Sequence, residues 1–214
     1  IGFLGLRIPP LVAAGGPRLR LRALCRRPFF LVALVAIFLA GATELGLAQW
    51  LPAYAEKSLG YTPWLGGMAL LAFSVAMTLG RMLVGLIGPR VRPLPLLIGC
   101  CWVSVALFLL ASFAPWPPVA LGASIAVGLT GSALWPSMLG VTADRFPHGG
   151  ATMFGVLAAL GNLGGVFMPW IVGVAADASA LNLGIATATL CPFLMVLCLG
   201  WMLRQPAPPE TESG

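Results

Sequence analysis

The sequence predicts an all-α membrane protein of six transmembrane helices, and three observations carry that prediction. The first is length. Apolar stretches run from Phe29 to Tyr54, Pro63 to Ile87, Leu94 to Ala114, Pro118 to Thr142, Ala151 to Ala176 and Leu183 to Leu203, each able to cross about 30 Å of hydrocarbon at about 1.5 Å per residue. The second is composition: 59% of the residues are hydrophobic and 8% charged, which suits lipid as the solvent and argues against a soluble enzyme. The third is continuity. Unpaired backbone amides are costly in hydrocarbon, so long apolar runs read as helices, and no alternating ten-residue segments suggest an outer-membrane barrel.

The connectors orient the bundle, because Lys and Arg near span ends collect on the cytoplasmic side. Arg7, Arg18, Arg20, Arg22, Arg26 and Arg27 precede the first stretch, Arg90 and Arg92 follow the second, Arg145 and His148 follow the fourth, and Arg204 follows the sixth. The opposite connectors contribute Lys57 alone. Both ends are therefore expected in the cytoplasm of a plasma or bacterial inner membrane. Trp50, Tyr54, Tyr61, Trp64 and Trp116 fall near the outer boundary and Trp201 near the inner one, as interfacial aromatic belts would place them. The net charge of +6 thus reads as a topology signal with some attraction to anionic lipid, and not as a nucleic-acid surface.

Three regions follow. Residues 1–27 read as a basic cytoplasmic connector, with Ile1 to Leu6 as the end of an earlier helix in a chain that looks truncated, 28–204 as the six-helix membrane domain, and 205–214, with its prolines and acids, as a disordered tail. The cysteines Cys25, Cys100, Cys101, Cys191 and Cys198 lack metal-site spacing and read as small apolar fillers. No cofactor or metal is implied.

Within the first stretch stands Glu44, about 22 Å by helix rise from Phe29 and about 15 Å from Tyr54, hence near the bilayer middle. An unpaired carboxylate at that depth takes up a proton in preference to remaining charged, which makes Glu44 a candidate site for a coupling proton or a polar substrate. The alternative is a neutral acid bonded to a neighbouring helix. Ala40, Gly41 and Ala48 on its face leave room for a ligand or a close helix. The second stretch holds the other intramembrane charge, Arg81, about 9 Å from the inner end near Ile87, so its side chain can snorkel to the headgroups and serve structure or gating.

The fourth stretch echoes the first. If the helices form two inverted triplets, Gly41, Thr43, Gly46, Trp50 and Pro52 correspond to Gly128, Thr130, Gly131, Trp135 and Pro136. Gly and Pro at matching places loosen both helices, and in transporters such interruptions mark the binding site. Gln49, Trp50, Tyr54 and Trp135 then become candidate solute contacts, with interfacial anchoring and packing as the competing roles of Trp50 and Tyr54. Midway along the fifth stretch, Asn162 stands among Gly155, Ala158, Ala159 and Gly165; its amide suits a hydroxyl-bearing solute or a bridge between helices.

These residues resemble the C-terminal six-helix half of a major facilitator superfamily transporter, over nearly everything from Arg26 to Arg204. The run from Gly80-Arg81 through Gly85 to Arg90-Val91-Arg92 is similar to the family's basic, glycine-containing cytoplasmic motif. The acidic residue often found there is absent, with Gly88 and Pro89 in its neighbourhood. Leu134-Trp135-Pro136-Ser137, Ala143-Asp144-Arg145-Phe146-Pro147, Gly161-Asn162-Leu163-Gly164-Gly165, Pro169 and Gly173 to Asp177 resemble the family's tenth and eleventh helices. Gly41-Ala42-Thr43-Glu44 with Trp50-Leu51-Pro52-Ala53-Tyr54 looks most like the seventh helix of fucose-permease-like sugar:proton symporters.

The resemblance implies half of that fold, built of two inverted three-helix repeats, with a missing N-terminal six-helix half as partner. It also implies alternating access, a cavity lined by the first, second, fourth and fifth helices, and the third and sixth facing lipid. Protonation of Glu44 is then expected to neutralise the cavity and permit reorientation of a carrier loaded with a small polar solute, a sugar among the candidates. An intramembrane enzyme fits poorly, since the sole histidine, His148, lies in a connector and no HExxH or GxSxG sequence occurs. A non-transporting receptor or scaffold of the same fold is the alternative reading.

Overall fold

A computed structural model describes residues 21–206, and these contain helices and no strand. The expectations placed on Arg7, Arg18, Arg20, the chain's first six residues and most of the acidic tail lie outside the described residues. Six helical units are long and apolar enough to cross a membrane: Pro28–Lys57, Pro63–Ile87, Pro93–Phe113, Pro117–Arg145, Gly150–Ala178 and Leu181–Leu203. They are called spans one to six here. A short helix, Leu21–Leu24, precedes them.

Prolines set the starts. Pro28, Pro63, Pro93 and Pro117 each open a span after an extended residue, respectively Arg27, Thr62, Arg92 and Trp116. Proline lacks the N–H that the first turn cannot use, and it forces the preceding residue out of the helical region. Span five starts differently, at Gly150 with φ of +63°, a left-handed backbone that glycine adopts without strain.

Prolines also break spans. Span one is interrupted between Ala48 and Leu51, and span four between Gly131 and Leu134. In each the next helical piece carries a proline in its first turn, Pro52 or Pro136, whose ring nitrogen cannot donate to the turn before it. The sequence parallel between the two spans therefore coincides with a real interruption in both. Span six is broken in the same way, between Thr187 and Leu190 ahead of Pro192, which the apolar pattern does not reveal. Span five stays helical through Pro169.

Span one is the most buried of the six and packs against spans four, five and six, while its second piece, Leu51–Lys57, meets span two. Its tightest neighbour is span five, because glycines let the two backbones touch. A Cβ on Gly41 would fall on the Gly161 carbonyl, one on Gly164 on the Phe38 carbonyl, and one on Gly165 on the Leu45 side chain. In hydrocarbon, where no hydrophobic force joins helices, such close backbone contact is a main source of packing energy. Phe30, Ile37, Leu47 and Leu51 fill the rest of the span one surface and are buried.

Polar groups tie together the end of the bundle that carries Trp50 and Tyr54. The Tyr54 hydroxyl donates to the Ala111 carbonyl of span three, and the Trp50 indole N–H donates to the Pro169 carbonyl of span five at 2.8 Å. Tyr54 is buried, so it is a bridge between helices and not the interfacial anchor that its position suggests. Trp64 and Trp116 are both 71% exposed. Cys101 and Cys191 are buried, and the Cys191 thiol lies 3.4 Å from the Met168 sulfur.

Gly164→Val is expected to push span five off span one at a cost of about 1–3 kcal/mol, seen as a lower melting temperature of the detergent-purified protein. Gly99→Ala, where a Cβ meets open space, serves as the control and should leave that temperature unchanged.

Candidate functional site

Where spans one and five touch, their glycines leave a small cavity beside Glu44. It measures about 160 Å³ and is lined by Gly41, Glu44, Leu45, Arg81, Trp135, Gly161 and Asn162, room for about five waters at their liquid volume. Span one contributes three of these residues, span two Arg81, span four Trp135, and span five Gly161 and Asn162. Spans three and six contribute none of that lining.

Glu44 is not unpaired. The Arg81 guanidinium donates to its Oε1, and this is the one ion pair among the described residues. Arg81 thus turns into the bundle and not toward the headgroups that snorkelling would reach. One fact of packing favours it: Gly80 sits so close to span four that a Cβ would strike the Leu129 carbonyl and Ser132 hydroxyl. The exposures of the two partners differ sharply. The Arg81 side chain is 47% exposed and that of Glu44 is 10%, so the cation is the accessible member.

Pairing changes the charge count. Ionised Glu44 already forms a neutral unit with Arg81, and a proton added to it leaves an uncompensated guanidinium, the reverse of the neutralisation expected from an isolated acid. Each charge of such a pair screens the desolvation cost of the other, which is how two ions persist at this depth.

Trp135 and Asn162 complete the polar wall. The Trp135 indole lies across Gly161, where any Cβ would collide with Nε1; among the described residues that N–H has no acceptor within hydrogen-bond geometry. Asn162 is exposed, and its amide nitrogen donates to Ala158 of its own helix at 2.9 Å. It does not bridge helices, and its carbonyl oxygen faces no donor among the described residues.

The remaining candidates lie elsewhere. Gln49 and Trp50 line a second, open cleft of about 490 Å³ with Ala53, Gly165, Val166, Pro169 and Trp170, and the Trp50 N–H is already engaged by Pro169. Of the glycine-containing cytoplasmic motif, Gly80 is a packing residue, Gly85 faces open space, and Arg90 is exposed in a short turn, Gly88–Arg90. Only Arg81 from that motif enters the site. Gly41 and Gly161 were legible as small residues, but their service as the floor of a cavity has no signal in one helix read alone.

A family model described as Major Facilitator Superfamily matches the chain twice, over residues 5–169 and 67–214. No curated protein and no solved structure matches it. Six apolar helices around a polar intramembrane cavity agree with that family model, and the chain belongs to the major facilitator superfamily of multi-pass membrane transporters.

Proposed function

We propose that the chain is the C-terminal six-helix half of a secondary active transporter, moving a small polar solute by alternating access with protons as the coupling ion. The observation that carries this reading is the Glu44–Arg81 pair, held in a cavity lined by spans one, two, four and five. A carboxylate that can exchange an arginine for a proton gives the cavity two charge states, and a carrier needs two states that differ in solute affinity. The open Trp135 N–H and Asn162 carbonyl supply a donor and an acceptor for a hydroxylated solute, sugars included.

In this reading Glu44 and Asn162 are the principal proton and solute ligands, Trp135 a donor and ring surface, and Gln49 with Trp50 the outer rim. An N-terminal half provides the opposing wall, and the interruptions of spans one and four are where the helices bend as the halves rock. Gly80, Arg81 and Gly85 lie on the helix that leads to the cytoplasmic side and Arg90 in the turn that follows it, both chain ends are cytoplasmic, and residues 28–204 are the membrane domain. Lipid surrounds the exposed apolar faces.

In proteoliposomes of the full-length protein, Glu44→Gln should abolish solute accumulation against a gradient and spare exchange of solute across the membrane. The check is proton entry, followed by an entrapped pH dye, as a panel of solutes is added: the wild type responds to at least one, and an undiminished response in the variant sinks the proposal. Orientation is tested separately. On a background with Cys25→Ser, a cysteine at His148 should react with an impermeant maleimide only from the cytoplasmic side, and one at Glu56 only from outside.

A further inference from the structure

A neutral solute beside the intact Glu44–Arg81 pair sums to zero but travels without a proton, so four occupancy states of the cavity matter for a proton-coupled carrier and can be tallied from its own charges. Empty, Glu44 and Arg81 sum to zero. With a proton on Glu44 and a neutral solute bound, the guanidinium stands alone and the sum is +1. With an anion bound and no proton, the sum is −1. With a proton and a singly charged anion together it returns to zero. A lone charge inside the hydrocarbon layer is strongly disfavoured, so a carrier of this build crosses its dry intermediate readily in the first and the last of these states.

We propose that the solute bears one carboxylate, which replaces Glu44 on Arg81, and that one proton enters with each anion. The inference rests on the proposed transport function and adds to it the class of solute and the stoichiometry. Geometry supports the exchange. Arg81 is the exposed partner and Glu44 the buried one, so a solute arriving through the cavity meets the guanidinium. That group presents five N–H donors in a planar fork, and Glu44 is its sole acceptor among the described residues. A carboxylate can take two of the free donors side by side. The Trp135 N–H and the Asn162 carbonyl then meet hydroxyl groups on the rest of the molecule. Atoms and charge balance: the proton moves from water to the Glu44 carboxylate, the Glu44–Arg81 contact is lost, and the solute carboxylate forms the new ion pair.

No other ionisable group competes at that level among the described residues. Of the elements packed on span one, span four carries Asp144 and Arg145 at its far end and span five carries Asp177 at its far end. Span six carries Cys191, turned to Met168, and Cys198. The second piece of span one has Tyr54 bonded to Ala111, with Glu56 and Lys57 at its end.

The test uses the purified full-length protein and five probes: D-gluconate, L-lactate and benzoate as carboxylates, D-glucose and D-glucosamine as neutral and cationic counterparts of gluconate. Titration calorimetry should find at least one carboxylate that binds more tightly at pH 5.5 than at pH 7.5, by up to about a hundredfold for uptake of one proton. Glu44→Gln should hold the tight affinity at both pH values, since Arg81 then has no rival. Arg81→Gln should lose binding, with its melting temperature reporting that the variant is folded. In proteoliposomes that carboxylate should bring in protons with no net current on a supported membrane. If glucose drives proton entry with a current and no carboxylate does, transport stands and this inference fails. If no probe moves protons, the coupling reading fails as well. Carboxylate binding that survives Arg81→Gln overturns the exchange outright.

Discussion

Backbone contact between spans one and five is the constraint on which the rest of this structure depends. Gly41 lies on Gly161 and Gly164 on Phe38, and no residue with a side chain can occupy those places without parting the helices. That crossing buries span one, turns Glu44 inward and leaves a cavity beside the point where Gly41 and Gly161 meet. Larger residues there would close the site and loosen the bundle together. Helix packing and the cavity are thus written into the same few glycines, for the single reason that a missing Cβ both admits a neighbouring backbone and leaves room beside it.

Around that cavity the electrostatics are those of a pair, not of an isolated acid. Glu44 and Arg81 stand thirty-seven residues apart in sequence, on helices that a reading of either alone places in different roles. Arg81 was expected to snorkel because its helix ends close by. Gly80 alters the outcome by drawing span two against span four, which carries the arginine to the acid. The pairing also reverses the effect of protonation, since an added proton now exposes a cation instead of erasing an anion. What a proton does in a membrane site is decided by the neighbour it displaces, as much as by the acid that receives it.

The interruptions of spans one and four have a common physical origin. Each places a proline in the first turn beyond the break, Pro52 and Pro136, so the hydrogen-bond ladder lapses beside the cavity in span four and beside the separate cleft in span one. Trp135 stands in the first turn of the second piece of span four and so enters the site from a helix start, while Trp50, at the equivalent break, is fastened to Pro169. The same device gives one tryptophan a place on the cavity wall and the other a bond to the neighbouring helix. Matching sequence positions do not ensure matching roles, because each indole takes the acceptor that its own surroundings provide.

Much was legible in the chain by itself. Six apolar lengths require helices because hydrocarbon offers backbone amides no other partner, and proline, whose ring suits a first turn, marks four of the six starts. The depth of Glu44 and the breaks in spans one and four were likewise readable, being properties of single helices. Only the tertiary structure decided which helices touch: that Arg81 reaches Glu44, that Tyr54 bridges to Ala111, that Asn162 bonds its own helix, and that Gln49 and Trp50 belong to a separate cleft. The rotation of one helix against another is set by where side chains are absent and backbones can meet, and that is a property of pairs of surfaces which no single apolar stretch contains.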